Sequence, residues 1–220
     1  MQPQLVMKIA LAVAALATQA GPALGQDARN LSLNAQLLVY ARQNDAAQVD
    51  RVLAQGAAVD SRNRFGKTPL LLASEKGNAA MAARLIAARA DVNLASLEGV
   101  TPVMAAAYGG HAAVLRQLLA AGARVDAQDR MKKPASVYAA AQGHAAIVAA
   151  LLGAGVAVDT PYENHLTLLM WAAGQGQGDV VRLLLARGAR ADLRDARGKT
   201  AAEIAREAGH PAVAALLPAL

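Results

Sequence analysis

The chain has 220 residues and no cysteine, so neither a disulfide framework nor a thiolate metal site is open to it. Hydrophobic residues make up 55% of it but aromatic ones only 3%, which leaves a core of alanine, leucine and valine packed between closely spaced helices. Lysine and arginine outnumber aspartate and glutamate by 22 to 16, a net charge of +6 that favours acidic partners without calling for nucleic acid.

The first 25 residues read as a secretory signal peptide. Lys8 precedes an apolar run, Ile9 to Ala17, and Gly21-Pro22 leads to the small residues Ala23 and Gly25. The expected cleavage is before Gln26, with Ala20 as an earlier alternative. The run is shorter than the roughly 20 residues needed to span a bilayer, so the mature chain is expected to carry no stable membrane insertion. Export of a cysteine-free, Ala- and Arg-rich chain points across an inner membrane to a bacterial periplasm. Residues 26–33 are predicted to be a short polar leader.

From residue 34 onward the chain repeats itself every 33 residues, and residues 100–132 are the clearest unit. There Thr101 is placed to cap a helix and Pro102 stands at its first position, where a missing N–H costs nothing. Gly109-Gly110 supplies the left-handed backbone that ends this helix after about two turns. His111 opens a second helix, whose apolar face is Val114, Leu115, Leu118 and Leu119, and Gly122 closes it. Residues 125–129 are extended and turn-like.

The other units are 34–66, 67–99, 133–165, 166–198 and the truncated 199–220. In the first, Asn44-Asp45 replaces Gly-His. In the second, Arg89 stands where the closing glycine belongs, which implies strain or a changed end to that helix. The fourth has Pro134-Ala135 in place of Thr-Pro, and the expected repair starts the helix one residue early with Pro134 at its first position. Its turn, Thr160 to His165, lacks glycine, so Asn164 is the candidate for a positive φ. Leu118-Leu119 should bury against Leu85-Ile86 and Leu151-Leu152 of the neighbouring units.

Thr-Pro, Ala-Ala, Gly-His, Leu-Leu, Gly-Ala and Val-Asp, in that order, resemble an ankyrin repeat, and the resemblance covers residues 34–220. It implies an all-α solenoid of about six 33-residue helix-turn-helix units carrying β-hairpin or loop fingers. It also implies a concave binding surface formed by the finger tips and the inter-helix turns. On this chain those positions include Arg62, Arg64, Phe65 and Lys67, then Leu97, Glu98, Val100 and Tyr108. They continue through Arg130, Met131, Lys133, Tyr162, Glu163, Asn164, Leu166, Arg194, Arg197 and Lys199. Tyr138 and Trp171 lie one period apart on successive first helices, so they are expected to be neighbours on or just under that face, and Met131, Tyr138, Tyr162 and Trp171 form the expected hot region.

His111, His144 and His210 all fall at the Gly-His position and are expected to bond nearby backbone rather than to act chemically. His165 stands apart in the irregular finger, with no second ligand in view. Gly174-Gln175-Gly176-Gln177-Gly178 is, by phase, an inter-helix turn, and Asp60, Asp126, Asp159 and Asp192 are finger residues. No nucleophile elbow, phosphate loop or HExxH stretch occurs. The expectation is therefore a non-enzymatic protein without metal or cofactor, a monomer that binds another protein, acidic in character, and not nucleic acid. The role read for it is a periplasmic scaffold or protective accessory factor, a stress-defence enzyme being one candidate partner. The alternative is an immunity or inhibitor protein that occludes the active site of a toxin or enzyme.

Overall fold

The computed structural model of the protein describes residues 22–218. The expected signal peptide lies outside the described residues as far as residue 21. Twelve α-helices and no β-strand occur among the described residues. They are α1 (Pro22–Gln43), α2 (Ala46–Ala54), α3 (Pro69–Glu75), α4 (Ala79–Ala87), α5 (Pro102–Tyr108) and α6 (Ala112–Ala120). After these come α7 (Ala135–Ala141), α8 (Ala145–Gly153), α9 (Leu168–Gly174), α10 (Gly178–Ala186), α11 (Ala201–Glu207) and α12 (Pro211–Ala214).

Helices of 7 and 9 residues alternate through the middle of the chain. Neither length holds a helix in water alone, so their stability comes from stacking. The short first helices α3, α5, α7, α9 and α11 stack in one layer and α4, α6, α8 and α10 in a second. The first helices are rich in buried alanine, such as Ala105 to Ala107, Ala139, Ala140, Ala172 and Ala173. Small side chains let that layer pack more closely than the second, so it becomes the inner side of a curved solenoid.

At the N-terminal end, α1 runs upstream of the first repeat unit through the polar residues expected as a leader. Leu33, Leu37 and Ala41 recur every four residues on it and are buried. Of the leucine pairs on the second helices, only one member reaches the core. Leu85, Leu118 and Leu151 are fully enclosed, while Ile86, Leu119 and Leu152 are partly covered, since one residue turns the side chain through about 100° of helix.

Thr68, Thr101, Thr167 and Thr200 each accept a hydrogen bond from the backbone N–H three residues on. Pro134 departs from the expected repair. It is the N-cap of α7, extended at φ −83° and ψ 171°, and the helix begins at Ala135, in register with its neighbours. Packing between α5 and α9 fixes that register, and the lost cap is not recovered by any side chain.

Of the glycine pair that ends α5, only Gly110 is left-handed, at φ 76°; Gly109 stays at φ −79° as the C-cap. Asn44, Arg89 and Asn164 take positive φ as their positions require, and Lys132 and His165 join them. The fingers are turns, not β-hairpins, and they are linked singly. Leu97 N–H donates to the Phe65 carbonyl at 3.0 Å, Arg130 N–H to Glu98 at 3.1 Å and Ala196 N–H to Asn164 at 2.9 Å. Among the described residues no backbone bond joins the third finger, at Met131, to the fourth, at Glu163, where a short 3₁₀ turn replaces the regular tip.

Candidate functional site: the concave face

Repeat phase puts five positions of the first-helix layer in a row along the inner surface: Leu72, Ala105, Tyr138, Trp171 and Ile204. All are less than fully buried except Ala105. A second row, at the ends of the same helices, is Glu75, Tyr108, Ala141, Gly174 and Glu207. A third, at the finger bases, is Lys67, Val100, Lys133, Leu166 and Lys199.

The outer units neutralise themselves. Lys67 pairs with Glu75 at 2.7 Å, and Lys199 pairs with Glu207 one helix length further on. In the fourth unit alanine, Ala141, stands where those glutamates would be. Lys133 lies instead over the Trp171 ring of the next unit, 4.9 Å from its centroid, as a cation–π contact. The Trp171 indole N–H is buried and has no hydrogen-bond partner among the described residues.

Tyr138 is held from two sides. Its hydroxyl donates to the Asp129 carboxylate, which also accepts the backbone N–H groups of Met131 and Lys133 at 2.9 Å each. Burial, together with the Asp129 charge, pushes the phenol well above its ordinary pKa, so it remains a donor. The Tyr108 ring meets Tyr138 edge-on, with centroids 5.8 Å apart and planes at 81°. Tyr138 thus finds its aromatic partner in Tyr108.

Two clefts open onto this face. One of about 400 Å³ is lined by Glu75, Val100, Met104, Ala105, Tyr108 and Tyr138. The other, about 320 Å³, is lined by Leu166, Trp171 and Ile204 together with the polar Gln175, Arg197 and Glu207. Lys133 stands between them. A further cleft of about 490 Å³ lies between α1 and the first finger, lined by Asn34, Leu38, Val39, Arg42 and Arg62 among others.

Most of the expected basic contact residues are already engaged. Arg62 donates to the Gly66 carbonyl at 3.0 Å and to that of Ala95 in the next finger; Arg194 donates to Gly198 at 2.7 Å. Arg130 pairs with Glu98 at 3.3 Å and Arg197 with Asp195 at 2.8 Å. Arg64 lies over the Phe65 ring at 4.7 Å. Glu163 and Asn164 are exposed on the fourth finger. Tyr162 points elsewhere: its hydroxyl is 3.0 Å from Ser136 Oγ, and it lines a depression beneath that finger with Val125, Gln128 and Pro134. It is separate from the Tyr138–Trp171 row.

Two of the histidines, His111 and His144, tie units together over a longer range than expected. His111 Nε2 lies 3.2 Å from the Glu75 carbonyl and His144 Nε2 3.0 Å from that of Tyr108; Gln177 donates to Ala141 at 3.0 Å in the same way. Each bond reaches the open carbonyl end of the preceding unit's first helix. The finger acids are likewise structural. Asp60 and Asp159 accept the backbone N–H of Asp91 and Arg190 in the following units, at 3.1 and 3.0 Å. Among the described residues no three His, Asp or Glu side chains converge as a metal site would require, and no helix is long and apolar enough to cross a membrane.

A family model for ankyrin repeats, in three copies, matches residues 37–129 and again 136–219. The chain belongs to the ankyrin-repeat family. Ankyrin repeats are general protein–protein interaction modules, and proteins built from them are typically non-enzymatic binding scaffolds. No curated protein matches the chain. Several positions in the inner row of this ankyrin solenoid, notably Leu72, Ala105 and Ile204, are legible only through repeat phase with Tyr138 and Trp171, since none is distinctive by residue type.

Proposed function

We propose that the protein is an exported, non-catalytic scaffold that binds another protein through its concave face and finger tips, acting as an accessory or protective factor. The observation that carries this reading is where apolar side chains remain exposed. Phe65, Leu97 and Met131 on the fingers and Tyr108 at the end of α5 are each more than half exposed, at 53%, 56%, 58% and 57%, whereas no second helix exposes a large apolar residue. Apolar and aromatic groups left in water on one side of a folded chain mark the side that is covered in use.

Export to a periplasm is supported by the Lys8–Gly25 pattern. The net charge of +6 supports an acidic partner through faster encounter. The test is affinity capture from the envelope fraction of the source cells with the tagged protein and a Tyr108→Ala/Met131→Ala variant. The expected result is one dominant protein, lost with the variant while its circular dichroism is unchanged. Capture that survives the variant moves the surface elsewhere.

A further inference from the structure

Three of the five finger bases carry lysine, and they are not equivalent. Lys67 and Lys199 each have a glutamate eight residues on and pair with it. Lys133 has Ala141 at that place and forms no ion pair among the described residues; its ammonium rests on the Trp171 ring. It is also surrounded differently. Val100, Tyr108, Tyr138, Leu166 and Gly174 make the inner surface of the third to fifth units apolar, while self-neutralised pairs close off the two ends.

Resting on the reading of the concave face as a protein-binding surface, we infer that its occupant is an extended segment of the partner that places one aspartate or glutamate against Lys133. Apolar side chains on either side of that acid fill the Tyr108–Tyr138 and Trp171–Ile204 clefts. The charge argument is one of number. The Arg197 guanidinium that lines the second cleft is already paired with Asp195 at 2.8 Å, so Lys133 is the cation offered there without a carboxylate, and a single ammonium suits one carboxylate rather than a phosphate. The surrounding apolar and aromatic groups lower the local dielectric, which strengthens that pair relative to the exposed pairs on the fingers.

The spacing follows from the fold. The clefts lie about two units apart, near 20 Å at the usual helix packing distance. An extended chain rises about 3.3 Å per residue, so roughly six residues separate the two apolar anchors, with the acid between them. Tyr138 contributes rigidity. Its hydroxyl is fixed on Asp129 and its ring braced by Tyr108, so the cleft wall needs little ordering when a side chain enters.

The experiment is selection of displayed random peptides of about nine residues, long enough to cross both clefts, on the full-length protein. Parallel selections use Lys133→Met, which keeps the apolar stem, and Tyr108→Ala/Trp171→Ala. Selected peptides are then synthesised with their acid and with the matching amide, and titrated while the fluorescence of Trp171, the chain's one tryptophan, is followed. The expected result is enrichment of an acid two residues from one apolar side chain and four from the other, even spacings that put all three on the same face of an extended segment. The amide version should bind the wild-type protein about tenfold more weakly and the Lys133→Met protein with almost no difference.

An acid preference that persists in Lys133→Met, or selected peptides lacking one, overturns this inference. The scaffold reading then survives provided Tyr108→Ala/Trp171→Ala loses those peptides. Peptides that bind that double variant as well as the wild type, or no enrichment on the wild type at all, overturn both.

Discussion

At the scale of single residues, the inter-helix glycines do more than permit a turn. A Cβ added at Gly110 would lie 2.7 Å from the His144 ring, and the residue sits at φ 76°; Gly122, at φ 84°, has open space around it. Both substitutions to alanine force a left-handed L-residue, at about 1 kcal/mol. Only Gly110→Ala also displaces the imidazole that bonds the Tyr108 carbonyl, so its loss should reach about 2 kcal/mol or more. Urea denaturation of the two variants checks this, and equal losses would mean that the His144 bond contributes little. This inter-unit bond is where sequence reading fell short at residue scale. Gly-His spacing marks the helix start, but the acceptor belongs to another unit, and nothing in local sequence says how far the ring reaches. Positive φ at Asn164 was legible because a missing glycine in a fixed period leaves the backbone requirement behind; at Arg89 the same absence pointed to strain or a changed helix end, and the structure keeps the left-handed backbone at φ 65°.

At the scale of the helix, capping and packing separate cleanly. Thr101 accepts the Met104 N–H at 3.4 Å, whereas Pro134 offers α7 no side-chain acceptor. Thr101→Ala should therefore cost about 0.5–2 kcal/mol, and Pro134→Thr should return about as much by giving α7 the cap of its neighbours. Leu118→Ala, which opens a cavity in the fully enclosed layer between α4 and α8, should cost more, about 2–5 kcal/mol. The ranking can be read from midpoints in one denaturant series; a neutral Pro134→Thr would show that the proline's rigidity already compensates for the missing cap. Helix existence and phase were legible throughout, because threonine caps, prolines and apolar spacing are local. The register of α7 was not, since it is imposed by the helices on either side. Tyr162 was placed with Trp171 for the related reason that its period is regular but its finger is not, and the turn at Glu163–His165 directs the ring towards Ser136.

At the scale of the whole molecule, the stack behaves as a row of units stabilised by their neighbours, so its ends open first. Of the carboxyls held below their ordinary range, Asp192, Asp195 and Glu203 gather at the C-terminal end while Asp126 lies further in, so the C-terminal end is expected to be the more acid-sensitive. The Thr200 N–H and hydroxyl hold Glu203 below its ordinary 4.5. Burial opposes the charge of Asp195, yet the Lys199 and Arg197 N–H groups and the Arg197 guanidinium hold it below 3.8. A carboxyl depressed in the folded state contributes stability above its unfolded pKa and loses that contribution as pH falls through the folded value. Amide exchange compared at about pH 6 and about pH 3 should therefore show protection in α11 lost before that in α5; uniform loss along the stack would contradict this.

The gap between the third and fourth fingers bears on the chain's ancestry as an array. Every other observed finger link would be severed by inserting or deleting a unit at its position, but at Met131–Glu163 there is no such link to sever. Lengthening, shortening or splicing the array at that boundary breaks no finger hydrogen bond, although the Lys133–Trp171 and Gln177–Ala141 contacts still cross it. Recombination there would exchange one half of the concave surface while keeping the other, a route by which a repeat protein acquires a new partner without first losing its fold.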